Sequence, residues 1–341
     1  MTVATLFHVL PGNIPPVVVE SLGAALEGVE LELQSRLNSA VFQVEAVGKL
    51  TLEAGGKRLR PALTLLAAKA AANGELDEIS RQRAIKLGAC LEMIHMATLI
   101  HDDVIDEAAT RRGKPTASSV YGNTIAILSG DVLLAKAMQL LAEDGDLAII
   151  RLVSGAVVEL AEGEVRELAA RGDFEISRSE HFEILRMKTA AFIECCCRVG
   201  AMVARATSEQ TEALGKYGQH LGMAFQLKDD LLDFRGNSQK TGKPLATDFR
   251  EGQATLPLIH LRDALTSDEG ELVKSKFGNG VTDSEISEFC QWMDLRGSFQ
   301  ETDEVAHSEA SAAKLAVDSL GASDYTSLLG AIADFVVARE S

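Results

Sequence analysis

Two clusters of aspartate carry the plainest chemical signal in the chain: Asp102-Asp103-Val-Ile-Asp106 and Asp229-Asp230-Leu-Leu-Asp233. Each closes an apolar run, Met93 to Ile100 before the first and Met223 to Leu227 before the second. On a helix, residues four apart share a face with Cβ atoms ~5–6 Å apart, so Asp102 and Asp106 point together, as do Asp229 and Asp233. Like charges at that spacing destabilise a bare helix, and a hard divalent cation is the natural remedy. Magnesium prefers one or two carboxylates completed by water and phosphate oxygens. A single Asp-Asp-x-x-Asp is ordinarily a solvated helix face. Two copies, each ending an apolar run and accompanied by basic segments, point to metal binding, with all six aspartates as candidate ligands.

The basic segments supply the matching half of the chemistry. Gly55-Gly56-Lys57-Arg58-Leu59-Arg60-Pro61 sets a flexible glycine pair before three cations and a proline that can open a helix. Backbone amides there, with Lys57 and Arg60, could hold a diphosphate. Arg111 and Arg112 follow the first acidic cluster in a loop closed by Gly113-Lys114-Pro115, and Lys188-Thr189 and Gly242-Lys243-Pro244 add two more lysines. Cations concentrated beside acidic clusters suggest an anionic, metal-chelated substrate.

The elements that must position these groups read as helices. The 341 residues are 46% hydrophobic but only 5% aromatic, apolar residues recur at three and four, and sustained alternation is almost absent. Ile85, Cys90, Leu91, Ile94, Thr98 and Leu99 form one such series, leading into the first cluster. Only seven prolines occur and the punctuation is short, with nothing like a flexible linker. These features predict an all-α protein forming one domain over 1–341. Its motif-bearing core is about 55–258, followed by an acidic helical region over 267–341. The net charge is −17, of which −10 falls from Ser267 onward and reads as solvated helical surface. An acidic chain is a poor general binder of nucleic acid. Five cysteines, three of them adjacent, suit neither a disulfide framework nor a zinc site and fit a reducing, cytoplasmic compartment. Residues 1–20 show no signal peptide, and no run reaches the ~18 uncharged apolar residues of a membrane span.

Taken together, the motifs resemble those of the trans-isoprenyl diphosphate synthases, and among them the medium- and long-chain polyprenyl diphosphate synthases. The likeness runs from about Gly55 to Leu258 in family order: Gly-Gly-Lys-Arg-Leu-Arg-Pro, the first aspartate-rich motif with Arg-Arg-Gly-Lys-Pro, Gly130-Asp131, and Lys188-Thr189. Then come Phe225-Gln226-Leu-Lys-Asp-Asp-Leu-Leu-Asp, Gly242-Lys243-Pro244 and Asp248-Phe-Arg-Glu-Gly252-Gln-Ala-Thr255-Leu-Pro257. The resemblance implies a helical bundle around a central cavity, a homodimer, and Mg²⁺-dependent chain elongation with three ions. Lys57, Arg60, His95 and Arg112 would bind isopentenyl diphosphate. Asp102, Asp106 and Arg111 would hold the allylic diphosphate, the aspartates through magnesium, and Asp229 with Asp233 would bind a further ion. Lys188, Thr189, Gln226 and Lys243 would line the reacting end. His101 has no family counterpart and reads as structural. The chain ends Arg339-Glu-Ser instead of in the basic tail of many relatives, a departure that bears on any tail contact to substrate.

Product length should be set on the helix before Asp102, where one turn rises ~5.4 Å, close to one extended isoprene unit. Ala97 and Thr98 are small and leave the way open, whereas Ile94 lies deeper and narrows it. With only two residues between its paired and final aspartates, the first cluster also favours products longer than four units. Three alternatives stand beside this reading: a farnesyl or geranylgeranyl synthase with the same chemistry, a non-catalytic subunit, and a terpene cyclase. The subunit is disfavoured by the intact clusters and lysines. The cyclase would not need the Gly-Gly-Lys-Arg-Leu-Arg-Pro segment.

Overall fold

The computed structural model describes residues 15–236 and 245–339, and within them the protein is nearly all helical. The helices are α1 (Pro16–Leu37), α2 (Phe42–Glu53), α3 (Leu59–Ala71), α4 (Glu78–Ile105), α5 (Ala117–Tyr121), α6 (Asn123–Asp144), α7 (Leu147–Ala170), α8 (Arg178–Leu185) and α9 (Ala191–Val203). They continue with α10 (Ser208–Arg235), α11 (Thr247–Glu251), α12 (Leu256–Asp263), α13 (Ser267–Lys276), α14 (Asp283–Leu295), α15 (Ser298–Asp318) and α16 (Asp324–Ala338). A five-residue π-helical segment, Arg186–Ala190, joins α8 to α9, and two-residue strands β1 (Thr110–Arg111) and β2 (Lys114–Pro115) pair antiparallel. The chain forms two compact units. One comprises residues 1–155, 195–215 and 318–331; the other comprises 156–194, 216–317 and 332–341.

The first unit is organised on α4. Asp77 starts this helix by accepting the Ser80 backbone N–H at 2.7 Å, the expected task of an N-cap aspartate. Its middle is apolar on every side, with Ala84, Leu87, Ala89, Cys90, Leu91, Met93 and Ile94 all buried. Such a helix must sit inside, and α1, α3 and α6 pack around it. Glycine sets one close approach here. A methyl group at Gly200 on α9 would strike the Thr64 carbonyl of α3, so these helices meet only because the side chain is missing. Cys195, Cys196 and Cys197 lie buried on α9, as packing residues do.

In the second unit the scarce aromatics are gathered. Phe249 packs edge-on to Phe277 at 5.4 Å and lies 5.6 Å from Phe289, which in turn lies 5.6 Å from Trp292. The C-terminal region, which offers no chemical motif, thus supplies much of this core. Thr266 with Glu269 and Thr282 with Glu285 form reciprocal capping boxes that start α13 and α14, so part of its acidity has a structural task.

Among the described residues, two helices, α4 and α6, are long and apolar enough to cross a membrane by length and composition. In α4 that stretch is mostly buried core. In α6 only 39% of it is buried, leaving Ile127 and Leu128 exposed.

Candidate active site

In the first unit, α4 carries His95, Asp102 and Asp106 down to its C-terminal end, with Asp106 as the capping residue. The β1–β2 hairpin follows at once. Arg112 and Gly113 turn it with φ of 54° and 76°, the left-handed pair that suits a tight two-residue turn. The hairpin directs Arg111 back, so that its Nε lies 2.7 Å from Asp103 Oδ1. Asp103 is only 5% exposed. The middle aspartate of this cluster therefore anchors the hairpin, leaving the i, i+4 pair Asp102 and Asp106 as the solvent-facing carboxylates.

The Gly55–Arg60 loop brings a second set of cations. Gly55 has φ of 78° and Arg58 of 47°. Arg58 is not a ligand candidate: it donates to Glu30 at 2.5 Å, to buried Glu92 at 3.1 Å and to the Leu52 carbonyl at 3.1 Å. Gly56 makes room for Arg112, since a methyl there would lie 2.9 Å from that guanidinium. His95 is held well below its ordinary pKa by burial and then by Arg60, Arg112, Arg111 and Arg58, so it is neutral. Desolvation pushes the Arg60 and Arg112 guanidiniums down as well, and Arg111 adds to the effect on Arg112. Cations taken out of water this way favour a polyanion beside them. Lys57 is exposed at the mouth of the same loop.

Of the chain-length candidates, Ile94 and Ala97 are buried and Thr98 is partly so, its hydroxyl donating to the His95 carbonyl at 2.9 Å. His101 packs against α6. Its Nε2 lies 3.2 Å from the Ile127 carbonyl and 3.4 Å from Asp131, over Gly130, where any Cβ would collide with the ring.

In the second unit the π-helical segment presents Lys188 and Thr189. One extra residue per turn shifts the register, and such insertions favour functional sites. Gly163 and Gly222 accommodate it: an added Cβ would lie 2.8 Å from the Lys188 nitrogen at the first and 2.5 Å from Ala190 Cα at the second. Thr189 donates its hydroxyl to Gln226 Oε1 at 3.1 Å, joining two residues expected at the reacting end. Lys188 lies 3.0 Å from Glu164 and also pairs with Glu167, both on α7. Burial opposes its charge, but the two glutamates outweigh burial and hold it protonated. Lys243 falls outside the described residues.

The second aspartate cluster divides its work as the first does. Asp230, 3% exposed, accepts from His181 at 2.9 Å and serves as an anchor. Asp233 receives the Thr247 and Asp248 amides on its two oxygens, each at 3.1 Å, and so starts α11. Asp229, with its side chain 41% exposed, pairs with Arg339 at 2.7 Å. Asp103, Asp230 and Asp233 thus bond to protein groups, as Asp229 does to Arg339. Asp102 is partly exposed, Asp106 is exposed and the Asp229 side chain is 41% exposed. Among the described residues no three His, Cys, Asp or Glu side chains form a self-sufficient metal cage. A carboxylate pair such as Asp102 and Asp106 suits magnesium, which leaves several positions to water and phosphate.

Sequence reasoning missed Arg58, Glu92, Glu164, Glu167 and His181. The pair Glu164 and Glu167, three apart on a helix, was a readable signal for a cation opposite. It also missed Asp248, whose carboxyl is raised well above the ordinary range by burial and then by Asp233, Asp230 and Glu167.

The polyprenyl synthetase family model matches residues 43–293. An octaprenyl diphosphate synthase of Escherichia coli is 33% identical over 315 residues, covering 92% of this chain and 96% of that one. Among solved structures, a decaprenyl diphosphate synthase from Rhodobacter capsulatus has a TM-score of 0.87 at 33% identity, covering 94% and 98% of the two chains. A polyprenyl synthase from Caulobacter crescentus, complexed with calcium and isoprenyl diphosphate, has a TM-score of 0.88 at 34% identity, covering 97% and 100%.

Proposed function

We propose a metal-assisted elongation mechanism for this chain, which belongs to the polyprenyl synthetase family and is a trans-prenyltransferase of the long-chain type. Its substrates are isopentenyl diphosphate and an allylic diphosphate, and its product is a polyprenyl diphosphate longer than four isoprene units. The observation that carries the mechanism is the first unit's pairing of two solvent-facing carboxylates, Asp102 and Asp106, with arginines gathered about a neutral His95.

Lys57, Arg60 and Arg112 take the diphosphate of isopentenyl diphosphate, with His95 offering a neutral hydrogen-bonding edge. Asp102 and Asp106 would hold magnesium for the allylic diphosphate, and Asp229 would hold a further ion. Arg111 orders the loop through Asp103 and leans toward the same diphosphate. Magnesium, three ions with substrates bound, would supply the positive charge that stabilises the departing diphosphate. Lys188 adds a fixed cation that its two glutamates keep protonated. Thr189 and Gln226, already bonded to each other, present oriented dipoles to an allylic cation without a nucleophile that would trap it. Lys243 is proposed for the leaving diphosphate on its motif alone.

A homodimer is the proposed assembly, supported by the apolar face that α6 leaves exposed at Ile127 and Leu128. A cytoplasmic location is proposed from the odd cysteine count and the adjacent Cys195–Cys197 run. The deciding experiment incubates the purified chain with farnesyl diphosphate, labelled isopentenyl diphosphate and Mg²⁺, then sizes the products. Elongation past four units that EDTA abolishes is the expected result. No elongation by the chain alone overturns the catalytic reading in favour of a subunit that needs a partner.

A further inference from the structure

Arg339 lies just past α16, and its side chain is only 8% exposed. Its Nη2 donates to the Phe225 carbonyl at 2.6 Å and reaches Asp229 Oδ1 at 2.7 Å, while Nε donates to the Val336 carbonyl at 3.2 Å. The guanidinium also stacks 4.1 Å above the Phe225 ring. Phe225 and Asp229 are one turn apart on α10 and share a face, so a single buried cation clamps the turn that contains Gln226. The other two aspartates of this cluster are bonded elsewhere, Asp230 to His181 and Asp233 to two backbone amides.

We infer that Arg339 is a built-in counter-ion of Asp229, which makes the second cluster select a divalent cation carried by diphosphate over the bare ion. The inference rests on the reading of Asp229 as a metal ligand. A guanidinium held on one carboxylate oxygen opposes a doubly charged ion arriving at the other. Diphosphate brings the negative charge that removes this opposition. Two effects compete when Arg339 is lost. The carboxylate gains rotameric freedom, which weakens metal binding a few-fold. A fixed positive charge 2.7 Å from the ligand carboxylate also leaves, which strengthens binding by more, because at that range, with the guanidinium only 8% exposed, water screens it incompletely. The second effect wins.

The test measures Mn²⁺ binding to substrate-free enzyme by electron paramagnetic resonance, without and with inorganic diphosphate. Arg339→Gln, and Arg339→Met, which keeps an apolar stem over Phe225, should both bind bare Mn²⁺ about tenfold tighter. Arg339→Lys, which retains the charge, should stay within about threefold of the parent. With diphosphate present the gap should close, and in an Asp229→Asn background it should vanish. Equal or weaker binding of bare Mn²⁺ by both neutral variants overturns the inference while leaving Asp229 as a ligand. If Asp229→Asn alone leaves the number of bound Mn²⁺ ions unchanged with diphosphate present, the ligand reading fails and the inference with it. Circular dichroism of each variant checks that the fold is retained; should both neutral variants unfold, tighter binding by Arg339→Lys would by itself refute the role of charge.

Discussion

Replacing Arg58 by alanine should damage this protein more than replacing any of its exposed arginines. Its side chain is 9% exposed and joins Glu30 of α1, Glu92 of α4 and the Leu52 carbonyl of α2. Glu30 is 29% exposed, so its share is worth at most about 1 kcal/mol. Glu92 is different. At 5% exposure it would be left as a buried carboxylate without its partner, a change that costs about 3–5 kcal/mol. Arg60 and Arg112 lie near enough to interact with Glu92 and would recover part of this, so the lower end, about 3 kcal/mol, is expected. At about 2.1 cal/mol/K of unfolding entropy per residue, that corresponds to a Tm lowered by roughly 4 °C. Arg58→Gly separates side chain from backbone, because φ of 47° is strained for any residue with a Cβ; it should be about 1 kcal/mol less destabilised than Arg58→Ala. Denaturant titration of the two single variants, Glu92→Gln and the Arg58→Ala/Glu92→Gln pair completes the cycle, with a coupling of about 1.5 kcal/mol or more expected. A loss below 1 kcal/mol, or simple additivity, would show that the pair does not hold the loop. In steady-state assays the same variant should raise KM for isopentenyl diphosphate more than it lowers kcat, since the loop it anchors carries Lys57 and Arg60.

Further tests address the other groups. Asp102→Ala should lower turnover by orders of magnitude with Tm nearly unchanged, and near-normal turnover would remove its metal role. Ala97→Phe should shorten the product while activity persists; because Ala97 is buried, a stability loss of about 1–3 kcal/mol with unchanged product length would instead place it in packed core. His95 has a native pKa depressed by burial and by neighbouring arginines, so the unfolded chain binds its proton first and stability falls as pH drops below about 6.5. His95→Gln should remove up to about 1 kcal/mol of the stability difference between pH 8 and pH 5.5, measured by urea titration at each pH. Gly130→Ala forces His101 aside, one residue from Asp102, and should cost more in activity than in Tm; an unimpaired variant would refute that coupling.

The comparison of expectation with structure turns on what a side chain's neighbours are, which periodicity does not contain. The all-helical class was legible because α4 and its neighbours repeat apolar residues with helical spacing and because seven prolines leave long stretches unbroken. The helical face shared by Asp102 and Asp106 was legible for the same reason. What spacing could not supply was the fate of the residue between them. Asp103 and Asp230 occupy equivalent places in two like motifs and are both buried, yet one is met by an arginine eight residues later and the other by a histidine 49 residues earlier. Nothing local distinguishes a carboxylate aimed at solvent from one aimed at its own protein. The π-helical segment was hidden likewise: Arg186–Ala190 has ordinary helix-forming residues, and its register depends on glycines at 163 and 222, far from it in sequence. The physical consequence is general to this site. In the proposed site, each aspartate-rich turn offers one or two carboxylates to the metal and spends others on the scaffold. A substitution at a scaffold aspartate should therefore lower stability and metal affinity together, whereas one at Asp102 should lower metal affinity alone. Measuring both quantities for Asp103→Asn and Asp102→Asn separates the two roles, and identical stability losses for the pair would refute the division.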